Sequence, residues 1–355
     1  MSRSWRRRDI ASVIPIGAWP AADLAAWRRA LAPGDILEPG GPAGGWSPKT
    51  VVKHQNGYGR WLGFLAGHDL LDPARSPGGR ATPQHVADYA KELSALNTPR
   101  TVIGRLEELR DVLRVVEPER DWSWIGRMAA RCGGRRGDVR QKRARLRPSS
   151  ELYGLGIRLM AQAEHDTCET ALQRAVAFRD GLIIALLAAR PLRRGSLAAL
   201  QLGDVSRRGA TMWMTVQAEH SKTRTPVELP LPEDLTTGIT AYLEEHRLVL
   251  LRGAACDAFW VSRARQAMGE MAIYLRIVKL TQQAFGAPIN PHLFRDAAAT
   301  TIAIEDPASV RISATLLGHK SLRMTERHYD QAQMIHACRR YHDALALRRR
   351  PPRPS

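Results

Sequence analysis

The sequence predicts a two-domain, mainly α-helical protein that carries one small antiparallel β-sheet. Three observations predict it. The 355 residues exceed what one core usually organises, at about 150 residues per domain. Apolar residues recur at helical spacing through most of the chain, the mark of amphipathic helices. One pair of β-like runs, Thr211 to Gln217 and Thr225 to Leu231, flanks the polar turn His220-Ser221-Lys222-Thr223-Arg224, a hairpin pattern. With 44% hydrophobic and 25% charged residues, the composition is that of packed cores rather than of a disordered chain.

Residues 1–45 mix basic residues with Pro and Gly and end in Pro39-Gly40-Gly41-Pro42-Ala43-Gly44-Gly45. They read as a basic arm with one short helix, Ala21 to Leu31, and a flexible link. Ser47-Pro48 then opens a helix, with Ser47 as N-cap and Pro48 in the first helical position. Val51, Val52, Tyr58, Trp61, Leu62 and Leu65 would form its buried stripe. Further helices are expected over about Pro83 to Leu96 and Arg100 to Val116, and Trp122 and Trp124 anchor a fourth short element. These make a small helical domain over 46–130.

A hinge rich in Arg, Lys and Gly follows at 131–148. It can be a solvated basic linker or a contact to a phosphate backbone, and the charge of the whole chain favours the second. Its candidate contact residues are Arg135, Arg136, Arg140, Lys142, Arg143 and Arg145. The second domain, 149–333, is expected to hold helices at about 149–163 and 170–189, the hairpin, and helices at about 232–247, 268–285, 291–304 and 308–317. In the last segment, 334–355, Met334, Ile335, Cys338, Tyr341 and Leu345 keep helical spacing. Arg348, Arg349, Arg350 and Arg353 among prolines then form a basic tail.

Charge narrows the function. Lys and Arg number 53 against 35 Asp and Glu, a net charge of +18. Such a balance argues for a polyanionic partner, nucleic acid or an anionic membrane surface, rather than small anionic metabolites. The best apolar run, Leu182 to Ala189, ends at Arg190, well short of the ~18 residues that cross a bilayer. The basic residues do not gather on one amphipathic face, so no membrane partner is expected. Cys132, Cys168, Cys256 and Cys338 form no C-x-x-C pair, which fits a reducing compartment. The N-terminus has a basic start before Ile10 to Ile16, but Pro15 and Pro20 count against an export signal. A cytoplasmic protein is expected.

Four stretches hold side chains suited to chemistry on an anion. Arg193 follows the end of a buried helix in Pro191-Leu192-Arg193-Arg194-Gly195-Ser196-Leu197, with Leu200 and Asp204 beyond. Lys222 lies on the hairpin turn, where a lysine ordinarily serves solubility. In Asn290-Pro291-His292-Leu293-Phe294-Arg295, Asn290 caps a helix and places His292 and Arg295 on one face near its N-terminus. That arrangement suits a bound phosphate as well as it suits two solvated charges. Finally, Leu317-Gly318-His319 ends a helix, and Tyr329 follows ten positions later.

Taken in this order, Arg193, Lys222, His292-x-x-Arg295, Leu317-Gly318-His319 and Tyr329 resemble the tyrosine recombinase, or phage integrase, family. The resemblance spans about 46–349, because the N-terminal helical part is similar to the family's core-binding domain and 149–333 to its α+β catalytic domain. Two departures stand out. Many members carry an acidic residue where this chain has Ser196, and the usual spacing of the nucleophile would fall on His328, one residue before Tyr329.

The resemblance implies double-stranded DNA as substrate, a homotetramer on two DNA sites, and no metal or other cofactor. Arg193 and Arg295, helped by His292 and His319, would hold the non-bridging oxygens of a phosphodiester. Tyr329 would attack to give a 3′-phosphotyrosine, and Lys222 would protonate the leaving 5′-oxygen. Integration, excision or transposition of a mobile element is the implied task. The alternatives are a non-catalytic DNA-binding helper on the same fold and a type IB topoisomerase-like enzyme.

Overall fold

The computed structural model describes residues 13–133, 145–165, 170–221 and 225–305. The chain divides into two compact units, 1–140 and 141–355, a division that falls inside the basic 131–148 stretch.

The first unit is all helical: α1 (Ala21–Ala30), α2 (Pro48–Gly67), α3 (Pro77–Arg80), α4 (Pro83–Leu96), α5 (Pro99–Val116) and α6 (Ser123–Gly133). Four of these begin with the same local device. Ser47, Ser76, Thr82 and Thr98 each accept a backbone N–H with their side chain, and a proline follows at the first helical turn. Each thus satisfies an otherwise orphaned donor and presets φ. The stripe predicted for α2 is buried at Tyr58, Trp61, Leu62 and Leu65, but Val52 is 55% exposed. Adjacent residues lie about 100° apart around a helix, so Val51 and Val52 cannot both face inward.

Within the stretch expected to be an arm and flexible link, Trp19 and Trp27 belong to this unit's core and Ile14, Ile16, Leu24 and Leu31 pack against it, while 32–40 is exposed. Both tryptophans are buried, Trp19 with its ring centroid 5.0 Å from that of Tyr58 and 6.0 Å from that of Trp27. Gly34, Gly40, Gly41 and Gly44 in this stretch serve close approach rather than looseness. A Cβ on Gly41 would stand 2.2 Å from the Arg29 carbonyl oxygen, so only glycine lets the returning chain lie on the end of α1.

A polar pair sits between α2 and α5. His54 Nδ1 donates to the Thr50 carbonyl at 2.9 Å, and Nε2 faces Asp111 at 3.5 Å. The contact with Asp111 raises the His54 pKa above its ordinary 6.5. Burial works against ionisation of Asp111, yet His54 and Arg110 outweigh it and lower its pKa below 3.8. The signs set a window. The His54 contribution is full below about 6.5 and is lost as pH rises through the raised value. The Asp111 contribution is present above about 3.8 and is lost as pH falls. Thermal melts should therefore show the first unit losing stability from pH 6 to 8, and His54→Gln should flatten that slope. An unchanged slope in the variant would refute the assignment.

The second unit runs α7 (Ser149–His165), α8 (Ala171–Ala189), α9 (Arg194–Ala198), β1 (Val205–Arg208), β2 (Thr211–Val216), β3 (Val227–Pro230), α10 (Glu233–Ala241), α11 (Arg247–Leu251), α12 (Glu270–Phe285) and α13 (Pro291–Glu305). One π-helical turn, Tyr242–His246, joins α10 to α11. The run Leu182 to Leu187, too short to cross a membrane, is wholly buried as the centre of this core. α7 lies directly on α8 because Gly156 and Gly181 admit backbone contact; a Cβ on Gly156 would meet Ala185 N at 2.4 Å. Among the described residues no helix is long and apolar enough to cross a membrane.

The sheet has order β1-β2-β3, antiparallel throughout. The expected hairpin is β2–β3, with Trp213 opposite Pro230 and Val216 opposite Val227. β1 is additional to the prediction. It pairs Arg208 with Thr211 across Gly209-Ala210, and Gly209 has φ +61°. A Gly-x two-residue loop is a hairpin signal, so this strand was legible in the chain.

Candidate active site

α8 ends at Ala189, and the chain turns through Arg190-Pro191-Leu192 into α9, for which Arg193 is the N-cap residue. Every side of this short connection is fastened. Arg190 donates to the carbonyls of Pro230, at the end of β3, and of Ala189. Trp260 Nε1 donates to the Leu197 carbonyl at 2.9 Å, and Arg194 pairs with Glu270 at 3.2 Å. Beyond α9, the buried Asp204 carboxylate accepts from Gln201 N at 2.9 Å and from Gln217 Nε2 at 2.7 Å, joining this loop to the end of β2. Ser196 Oγ donates to the His220 carbonyl at 2.6 Å.

Arg295 reaches this connection from α13. Asn290 caps that helix as predicted, its Oδ1 accepting from His292 N at 3.0 Å and Leu293 N at 3.2 Å. Arg295 is buried, 8% exposed, and its guanidinium donates to the carbonyl of Pro191, 104 residues away in sequence. Burial and, next, the charge of Arg193 pull the Arg295 pKa down to about 10, against the opposing pull of Asp296. It therefore remains cationic at neutral pH. Two guanidinium groups held near each other, one of them desolvated, favour an anion in their common field.

The fold thus brings Arg193 and Arg295 together. His292 differs from the one-face expectation: its side chain is 65% exposed and stands 3.8 Å from Asp296 Oδ1, whereas Arg295 is buried. Residues three apart on a helix are about 60° out of register, enough to separate a solvent position from a core one. Lys222, His319 and Tyr329 lie outside the described residues, as do Arg135, Arg136, Arg140, Lys142 and Arg143 and the helices expected at 308–317 and after 334. Arg145 is described and half-buried. The sequence marks Ser196 as a departure from the family's acidic residue beside Arg193, but Arg190 and Gln217 carry no such mark. Arg190 and Ser196 donate to the carbonyls of Pro230 and His220, and Gln217 donates to the Asp204 carboxylate, contacts that no short run of sequence marks.

Residues 158–336 match the model of the phage integrase family. A tyrosine recombinase XerD of Neisseria meningitidis serogroup A is 27% identical over 170 residues, 48% of this chain and 54% of that protein. The XerD of Caulobacter vibrioides is 29% identical over 284 residues, covering 76% of this chain and 83% of its own length. Against the Neisseria and Bifidobacterium longum relatives, the chain spans about half of their length. Among solved structures, XerH recombinase bound to palindromic difH substrate aligns with a TM-score of 0.56 at 11% identity, over 96% of this chain and 100% of that one. The Tn1549 transposon integrase in complex with a circular intermediate DNA aligns with a TM-score of 0.53 at 13% identity, over 82% and 95%. At these identities the structures establish a shared fold.

Proposed function

This chain belongs to the phage integrase family of tyrosine recombinases, and we propose that it is a site-specific DNA strand transferase that cuts and rejoins double-stranded DNA through a 3′-phosphotyrosine. The observation that carries the reading is the pairing of Arg193 with the buried, Pro191-anchored Arg295. In a phosphodiester's transition state negative charge accumulates on the non-bridging oxygens. Two preorganised guanidinium groups stabilise that charge with no reorganisation at the moment of reaction.

Tyr329 is the nucleophile in this scheme. Its phenol gives its proton to solvent, the phenolate oxygen forms a bond to phosphorus, and the bond to the 5′-oxygen breaks. Lys222 supplies the proton that this oxygen takes, and His292 and His319 donate hydrogen bonds to the phosphate. The basic 131–148 segment, through Arg135, Arg136, Arg140, Lys142, Arg143 and Arg145, contacts the DNA backbone, so binding weakens steeply with salt. The working form is a homotetramer on two DNA sites in the cytoplasm, and its task is integration, excision or transposition of a mobile element.

The test is covalent capture. Wild type and Tyr329→Phe are expressed in cells carrying the parent genome, the lysate is denatured in detergent, and protein-linked DNA is recovered and sequenced at its ends. Adducts at a discrete site with wild type alone are expected. Adducts scattered over the genome would replace the reading with a topoisomerase-like one. Salt-sensitive DNA binding by both proteins without adducts would replace it with a binding module.

A further inference from the structure

We infer that Arg190 is a positioning residue for the arginine pair, fixing through Pro191 where the Arg295 guanidinium stands. The inference rests on the strand-transfer reading above. Arg190 is half-buried at the C-cap of α8, where its N–H bonds to the Leu186 carbonyl at 2.7 Å. The Leu192 N–H bonds to the Arg190 carbonyl, also at 2.7 Å, and closes a three-residue turn around the buried Pro191. A bond from one residue to the next but one reverses the chain within a single position. The Arg190 carbonyl is thereby used inside the turn, and the Pro191 carbonyl is the one that receives Arg295.

The Arg190 side chain gives this turn a second point of reference. Its Nε donates to the Pro230 carbonyl at 3.0 Å, Nη2 donates to the same oxygen, and Nη1 donates to the Ala189 carbonyl at 3.0 Å. Pro230 is itself fixed: it lies opposite Trp213 in the β2–β3 ladder, and the Leu231 N–H after it bonds to the Met212 carbonyl at 2.9 Å. The turn is therefore held to α8 through the chain and to the sheet through Arg190. Arg295 is anchored on the Pro191 carbonyl, and Arg193 follows that residue by two positions. A shift of the turn thus moves one guanidinium relative to the other, and a displacement of about 1 Å at reacting groups can cost about a hundredfold in rate. The Arg190 fork is turned onto carbonyls, so its contribution is one of geometry rather than of charge on the phosphate.

The test asks whether Arg190 acts through Arg295. The DNA site recovered by covalent capture is made with a normal scissile phosphate or with a methylphosphonate, which replaces one non-bridging oxygen and removes the charge that the arginines stabilise. Single-turnover cleavage is measured for wild type, Arg190→Met, Arg295→Met and the double variant. Arg190→Met should slow cleavage of the normal phosphate at least about tenfold, and its deficit on the methylphosphonate should fall to about twofold. The double variant should lose no more than Arg295→Met alone, because a residue that acts through Arg295 then has nothing left to position. Arg190→Lys keeps one donor for the Pro230 carbonyl and should stay within about threefold of wild type on the normal phosphate. The salt dependence of DNA binding should be the same for Arg190→Met as for wild type, since no phosphate contact is lost. Equal deficits on both substrates, losses that multiply in the double variant, a shallower salt dependence, or no loss at all would each overturn the role of Arg190. Failure of wild type to cleave the normal DNA would instead overturn the strand-transfer reading.

Discussion

Arg295→Lys should lower the rate of covalent complex formation at neutral pH by about a hundred- to a thousandfold, the usual scale for one preorganised charge donor. The reason lies in the environment of the side chain. Burial and the neighbouring Arg193 bring the guanidinium down to about 10, which still leaves it charged at pH 7. A lysine starts about two units lower than an arginine. In the same place burial and Arg193 push it down too, so its charged fraction falls at the alkaline end, and it also lacks the planar fork that can hold Pro191 and an oxyanion together. The deficit relative to wild type should therefore shrink as pH is lowered from 8 to 6 and the ammonium form returns. Single-turnover cleavage of the recovered site across that range is the measurement. A variant within a fewfold of wild type at every pH would show that the guanidinium fork is not required at this position.

Asp23→Ala should destabilise the first unit by about 3–5 kcal/mol, the cost of breaking a buried ion pair by removing one partner. Asp23 is fully buried; it accepts from Tyr58 Oη at 2.6 Å and pairs with Arg80, which is 1% exposed. Arg80 also donates to the carbonyls of Asp72 at 2.8 Å and Arg75 at 2.9 Å. Three elements, α1, α2 and α3, thus meet on one carboxylate. Removal leaves a desolvated guanidinium and a phenol without their acceptor. Chemical denaturation of the full chain, followed by tryptophan fluorescence from Trp19, Trp27 and Trp61, reads the effect. The double variant Asp23→Leu, Arg80→Met should recover much of the loss, because no charge is then stranded. A cost below about 1 kcal/mol for the single change would show that the pair is replaceable by water.

Much of the helical framework was legible because its signals are local. A Ser or Thr before Pro, as at Ser47, Thr82 and Thr98, fixes a helix start within four residues. The Gly209 turn fixes a strand register in the same way. The candidate site was legible in residue type for a different reason: phosphate chemistry demands fixed cations, and Arg193, His292 and Arg295 stand in an ordered pattern. Their separation into a buried Arg295 and an exposed His292 was not legible, since spacing gives an angle around a helix but not which neighbour covers it.

The N-terminal stretch shows the opposite failure. Its Pro and Gly content reads as looseness, yet Gly41 is there because the chain passes within contact distance of α1, and Asp23, unremarkable in sequence, is the partner of a buried arginine. Caps, periodicity, turn chemistry and the identity of the cationic residues are set over a few positions of chain, so the residues themselves determine them. The burial of Trp19 and Trp27, the anchoring of Arg295 on Pro191 and the bond from Ser196 to His220 belong to the tertiary structure. Each joins groups tens of residues apart or more, and the free energy that selects it comes from how whole helices dock, a geometry that no short run of sequence encodes.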